Sequence, residues 1–394
     1  MNQLSLRTVE VSGAPRERGY QYGAATADLI DKAIAYYEEA FREQTGLSWG
    51  QVRELAAGWV PVCEQVAPDV LTELRGVAAG AGRDELDLMA LNARGEIIYD
   101  HGLGARTPIE EDDERDSADG CTSFSLTDGA AGDGHVYAGQ NWDWRTAVQD
   151  TVVALRVVQD PLPTLIMQVE AGQIGRHGAN SAGIALNANG LGGRFDAAIG
   201  VPQTFIRRLA LNQTELPDAL NVLARTPAHI AGNVMLTDRS GFSIDLEITP
   251  HGIGWLYPED GLLVHGNHYQ GTVPPQLAGR YRPISVDSLI RVPQARRTLG
   301  RVRYATTGAA VRDRIRAAMS DHLGYPESLC THPDERRPAV RHWSTLLSSC
   351  VDLTAGEYYL TNGTPCANEY EKLPWNVFDG PGSRFADMPA AAAG

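Results

Sequence analysis

The hydrophobic period of this chain first switches from helical to strand-like between Arg106 and Cys121, and the switch demands a fold that joins helical layers to a stranded body. Before it, Ile30, Ala33, Ile34 and Tyr37 recur at helical spacing within residues 15–40, and Gly19 and Gly23 mark a close approach by another element. Further helices are expected over 49–66, from Pro68 through Ala78, and over 84–91. After it, CTSFSL (121–126), HVYAGQNWDW (135–144), TVVALRVVQ (151–159) and TLIMQVEA (164–171) alternate with period two and predict consecutive antiparallel strands. A Gly- and Asn-rich strand pair follows over 172–191, then helices over 202–211 and 216–224, strands over 233–238 and 242–249, and alternating sequence over 252–269. Helical pattern returns at 285–302 and 309–323, before strands at 342–353 and 357–363. The whole reads as a layered α+β fold. No Gly-rich loop opens a helix after a buried strand, which disfavours a dinucleotide-binding fold.

The segment at the switch is polar, with the acidic run Glu110–Asp116, and predicts an exposed, mobile loop at 107–119. A net charge of -15 and a pI near 5.1 disfavour nucleic acid and anionic membranes as partners, since both need a basic face. A small molecule is the expected partner. The amino terminus lacks a basic start with an apolar stretch, and no apolar run approaches the roughly 18 residues that span a bilayer. Five cysteines at irregular spacing do not form a disulfide framework, so a reducing cytoplasm is expected. Cys63, Cys330, Cys350 and Cys366 read as inert core or surface thiols. His265 and His268, three apart on strand-like sequence, fall on opposite faces without a third ligand at zinc spacing, so no metal is expected.

Cys121 stands apart from the other thiols by context. It follows Gly120, whose carbonyl no side chain obstructs, and it opens a strand after the acidic loop. Attack of its sulfur on the Gly120 carbonyl, followed by hydrolysis, would break the Gly120–Cys121 bond and expose an α-amine. Such an amine has a pKa of about 7.7–8.0 and can serve as general base for its own thiol.

SGAPRERGYQYG (12–23), DGCTS (119–123), GQNWDW (139–144), NSAGIALNANGL (180–191), DLEITP (245–250), LYPEDGLLVHGNHY (256–269), VDLTAG (351–356) and PCANEY (365–370) follow one another in an order and spacing that resembles a known family. It is that of the self-processing acyltransferases and amide hydrolases typified by acyl-coenzyme A:6-aminopenicillanic acid acyltransferase (isopenicillin N acyltransferase), within the N-terminal nucleophile hydrolases. The resemblance implies a single domain over 1–394, built as a four-layer αββα sandwich. It also implies cleavage between Gly120 and Cys121 into a helical fragment 1–120 and a catalytic fragment 121–394 that stay associated. Cys121 matches the nucleophile, Asp143 the aspartate beside the new amino terminus, and Asn267 the oxyanion-hole asparagine. Asn189 matches a second asparagine near the nucleophile, with Asn187 two residues away leaving the register open. A basic residue that the family carries before the late strands matches Arg341 or His342. Trp142 and Trp144 are packing residues able to wall an acyl pocket. The implied activity is amide hydrolysis or acyl transfer through a Cys121 thioester. No cofactor is implied, and acyl-coenzyme A would enter only as a substrate. The alternative is a scaffold of the same fold that binds a small molecule without turnover.

Overall fold

The computed structural model describes residues 4–103, 120–127 and 129–381. The loop expected at 107–119 and the Ala-rich tail at 390–394 lie outside the described residues.

The amino-terminal part begins with a strand, β1 (Arg7–Ser12), and continues through α1 (Pro15–Thr45), α2 (Trp49–Ala57), α3 (Val60–Val66), α4 (Pro68–Ala81), α5 (Glu85–Asn92) and α6 (Arg94–Ile98). The helix expected over 49–66 is two helices, because Pro61 has no N–H to extend α2 across residues 58–60. Capping boxes, Ser48 with Gln51 and Asp84 with Asp87, start α2 and α5. Helices α1 and α4 touch backbone to backbone. A Cβ on Gly19 would lie 2.1 Å from the Glu73 carbonyl oxygen, and one on Gly76 would lie 2.3 Å from that of Arg16. Gly23 and Gly80 repeat the arrangement one turn on, which is the close approach the sequence anticipates.

From residue 122 onward come β2 (Thr122–Leu126), β3 (Tyr137–Arg145), β4 (Val152–Val158), β5 (Leu165–Glu170), β6 (His177–Asn180) and β7 (Ile184–Gly190). Helices α7 (Gln203–Leu211) and α8 (Leu216–Arg225) lead to β8 (Gly232–Asp238), β9 (Ser243–Thr249), β10 (Gly252–Leu256) and β11 (Leu262–His265). The chain ends with α9 (Ser288–Leu299), α10 (Gly308–Met319), β12 (Trp343–Asp352), β13 (Glu357–Leu360) and β14 (Glu371–Asn376).

These strands form two sheets, an eight-stranded one ordered β1-β4-β5-β6-β7-β8-β9-β10 and a six-stranded one ordered β11-β2-β3-β12-β13-β14. Two edge strands were not anticipated. β1 alternates as a strand should, but it pairs in parallel with β4, far along the sequence. β14 carries Pro374, which cannot donate to a ladder and is tolerated at a sheet edge.

Alternation along β2 separates two cores. Phe124 and Leu126 pack with Val292 and Ala295 of α9 and Val311 and Ile315 of α10. Trp142 and Ala138 of β3 join the core that runs between the sheets and out to α1, α4 and α7. Helices, sheet, sheet and helices thus stack as the αββα sandwich expected. Among the described residues, no helix is long and apolar enough to cross a membrane.

Candidate active site

The antiparallel register of β2 with β3 pairs Thr122 with Asn141 and Ser123 with Gln140. Continued outward, it sets Gly120 opposite Asp143, and a Cβ on Gly120 would lie 3.0 Å from the Asp143 Cβ. Only glycine fits there without displacing the aspartate. Cys121, next in line, is fully buried and belongs to the core between the sheets.

Asp143 is buried, with the Thr345 hydroxyl donating to one carboxylate oxygen at 2.5 Å and the Thr331 hydroxyl 3.2 Å from the other. Burial dominates its ionisation and pushes its pKa up to about 7, although the Arg291 charge and the two hydroxyls act in the opposite direction. A carboxyl in this range changes charge near neutrality.

Arg291 was not anticipated as a site residue. Its guanidinium is fully buried and donates to the Cys121 carbonyl at 2.8 Å, the Thr122 hydroxyl at 2.7 Å and the Asn267 side-chain oxygen at 2.8 Å. Asp287, one turn earlier on the chain, pairs with its Nε. Burial opposes its charge, but Asp287 and Asp143 outweigh burial and hold its pKa above the usual value. The one sequence signal was position: Ser288, Arg291, Val292, Ala295 and Leu299 share helical spacing, and only their burial on α9 shows that this stripe faces inward.

The contact with Arg291 fixes which way the Asn267 amide points, because a guanidinium only donates. The oxygen faces Arg291, and the nitrogen donates one N–H to the Gly190 carbonyl at 3.1 Å. Among the described residues, no acceptor takes its second N–H, which leaves it to an incoming oxygen. The Ser288 hydroxyl supports the same loop, accepting from the Asn267 backbone N–H at 2.7 Å and lying 2.7 Å from His268 Nδ1.

Asn189 projects from β7 towards the other sheet, donating to the Ser123 hydroxyl at 3.0 Å and to the Asn233 oxygen at 2.9 Å. Both of its N–H groups are therefore engaged. Asn187 stands opposite Met235 instead. The polar layer continues through Asp245 to His265, whose Nε2 lies 3.0 Å from Glu247 and 3.5 Å from Asp245. Burial disfavours a charge on His265, yet the two carboxylates outweigh it and raise its pKa. His265 and His268 thus have separate partners and do not converge.

The structure gathers Gly120, Cys121, Asp143 and Asn267 around Arg291, with Asn189 joined through Ser123. His342 Nε2 lies 2.9 Å from the Arg337 carbonyl, and Arg291 of α9 supplies a guanidinium at the Cys121 carbonyl. Trp142 packs under Arg176 at 3.9 Å and edge-on to His177. Gly190, the acceptor for Asn267, lines a pocket with Arg94, Tyr99, Trp144, Arg176 and Arg207. A larger groove, beside His251 and Trp255, opens along the edge strand β10.

The sequence model described as acyl-coenzyme A:6-aminopenicillanic acid acyl-transferase matches residues 130–365. That span holds Asp143, Asn189, Asn267 and Arg291 and begins after Cys121. The 40 kDa form of acyl-coenzyme A:6-aminopenicillanic-acid-acyltransferase from Emericella nidulans is 28% identical over 325 residues, 82% of this chain and 84% of that protein. Among solved structures, a variant of conjugated bile acid hydrolase from Clostridium perfringens is similar at 14% identity and a TM-score of 0.39, over 66% of this chain and 95% of its own. Penicillin V acylase from Agrobacterium tumefaciens is similar at 16% identity and a TM-score of 0.35, over 61% and 82%.

Proposed function

The chain belongs to the acyl-coenzyme A:6-aminopenicillanic acid acyl-transferase family, and from that premise we propose that it is a self-activating cysteine amidohydrolase or acyltransferase acting on a small acylated molecule. The observation that carries the reading is the contact of Gly120 with Asp143 on one side of Cys121, and the Arg291 bridge from the Cys121 carbonyl to the Asn267 amide on the other.

In the first reaction, the Cys121 sulfur attacks the Gly120 carbonyl carbon and its proton passes to the departing amide nitrogen. The peptide becomes a thioester, which water hydrolyses to a Gly120 carboxylate, a free thiol and the Cys121 α-amine. In turnover, that amine takes the thiol proton and the sulfur attacks the substrate acyl carbon. The oxyanion that forms accepts the spare N–H of Asn267, and the leaving group departs with the proton. Water or an acceptor amine then resolves the acyl thioester. Asp143 faces the new ammonium and, once ionised, holds it in place. Arg176 and Arg207, beside Gly190, suit a substrate that bears a carboxylate. An acyl-coenzyme A fits this scheme as donor substrate, with no resident cofactor, and a reducing cytoplasm suits the working thiol.

The proposed fragments, 1–120 and 121–394, would remain one unit. β1 is a strand of the second fragment's sheet, and Glu73–Arg208 and Arg94–Glu170 are buried ion pairs that span the cut. Intact mass under denaturing conditions tests the processing step: two species divided at Gly120–Cys121 support it, and one stable chain rejects it. A mass adduct on Cys121 with an activated acyl donor, discharged faster when an amine is added, marks a transferase. Discharge indifferent to amines marks a hydrolase, and no adduct with any donor favours the binding scaffold.

Two further results are expected. Asn267→Ala should lower kcat by about 10²–10³, roughly 2.7–4 kcal/mol, with KM little changed, since its donor serves the transition state. A KM effect alone would place Asn267 in ground-state binding. Self-cleavage of freshly refolded precursor should speed up with pH through about 7, as Asp143 ionises. The same group contributes to stability with the opposite sign. Its folded pKa lies above the unfolded 3.8, so its contribution is present at low pH and fades between about 4 and 7. Asp143→Asn should remove that inflection in rate, and an unchanged profile would clear Asp143 of the role.

A further inference from the structure

Below the site, three separate stretches of chain bring four metal-ligating side chains to one point. His322 follows α10, Cys330 and His332 precede β12, and Cys366 lies in the loop between β13 and β14. Their ligand atoms all lie within 4.8 Å of one another. His332 Nε2 is the hub, 3.1 Å from His322 Nε2 and 3.5 Å from both sulfurs.

We propose that His322, Cys330, His332 and Cys366 form a structural zinc site. Tetrahedral zinc, with bonds of about 2.3 Å to sulfur and 2.0–2.1 Å to nitrogen, sets its ligand atoms about 3.3–3.8 Å apart. The His332 distances already fall close to that spacing. Two imidazole Nε2 atoms facing each other satisfy at most one hydrogen bond between them, and a cation between four such atoms satisfies all of them at once. Two thiolates and two imidazoles in tetrahedral array select zinc over the oxygen-seeking cations. Four protein ligands leave no open position, which makes the site structural rather than catalytic. Binding converts two thiols to thiolates and releases their two protons to solvent.

The loop is shaped to hold the ligands. Cys330 N–H donates to the Asp321 carbonyl at 3.1 Å and His332 N–H to that of Pro326 at 3.0 Å. Cys330 is buried, His332 is half-buried, and His322 and Cys366 lie at the surface, so an ion has a route in. Sequence reasoning set Cys330 and Cys366 aside as inert thiols; the spacing His-x7-Cys-x-His-x33-Cys has no paired Cys-x2-Cys rhythm to mark a metal site.

The site reaches the proposed chemistry through one residue. Thr331, between two of the ligands, presents its hydroxyl to Asp143 and exchanges backbone and side-chain hydrogen bonds with Thr345, the other Asp143 donor. Zinc would thereby fix both hydroxyls that hold Asp143. This consequence rests on the role proposed for Asp143, whereas the metal site does not.

The test is zinc content of the full-length protein by mass spectrometry, after growth with zinc and desalting. About one zinc per chain is expected, falling roughly tenfold or more in both Cys366→Ser and His322→Gln. Both side chains are at the surface, and unchanged circular dichroism would confirm that these variants fold. Cobalt replacement should give tetrahedral thiolate absorption that Cys366→Ser loses. Cys121→Ala should keep the metal, which separates this site from the fate of the nucleophile assignment. Zinc-free wild-type protein, a Cys330–Cys366 disulfide in protein purified under reducing conditions, or zinc retained in both variants would overturn the proposal.

Discussion

Cys121→Ala should remain a single 42.6 kDa chain and lose turnover by a factor on the order of 10⁴ or more. Alanine removes only the sulfur from a buried position, so the fold should persist with a loss of about 1 kcal/mol. Cys121→Ser makes the test stricter. Serine keeps a nucleophile that is weaker without a strong base, so slow cleavage and residual turnover are expected together. Full turnover by Cys121→Ala would remove the residue from the mechanism. Cleavage at Gly120–Cys121 in the same variant would assign the cut to another group.

Arg291→Met should have the second large effect, and it should act on two measurements at once. Methionine approximates the length of the side chain but leaves Asp287 without its partner in a largely buried setting, a loss of about 3–5 kcal/mol. It also frees the Asn267 amide to turn, so kcat should fall by about 10², approaching the Asn267→Ala value. The two effects are separable. Arg291→Met with Asp287→Asn should recover much of the stability, read as the denaturant midpoint at unchanged slope, without recovering kcat. Equal recovery of both would reduce Arg291 to a structural ion pair.

How much of this was legible depends on the range over which each interaction acts. Local period gave away most helices and strands, and glycine spacing announced that some element approaches α1 closely, because both are written within a few residues. The Gly120–Asp143 contact was half legible: two motifs were visible, and only antiparallel register sets one opposite the other. Arg291 was hidden by its chemistry, since a charged residue on a helix reads as solvated until its burial is seen. β1 alternates plainly, yet nothing near residue 10 announces a parallel partner near residue 155. The four ligands centred on His332 and including it were hidden by topology, because the return of the chain after β13 brings Cys366 to a loop that ends before β12.

The parallel pairing of β1 with β4 has a thermodynamic side. While residues 120 and 121 are joined, losing and regaining that edge strand is an event within one chain, independent of how much protein is present. If the bond is broken as proposed, the same strand and the helices behind it become a tightly bound second molecule. The midpoint of unfolding then shifts with protein concentration, as it does for a dimer. Dilution, which cannot touch the joined chain, would then become a force acting on the cleaved one.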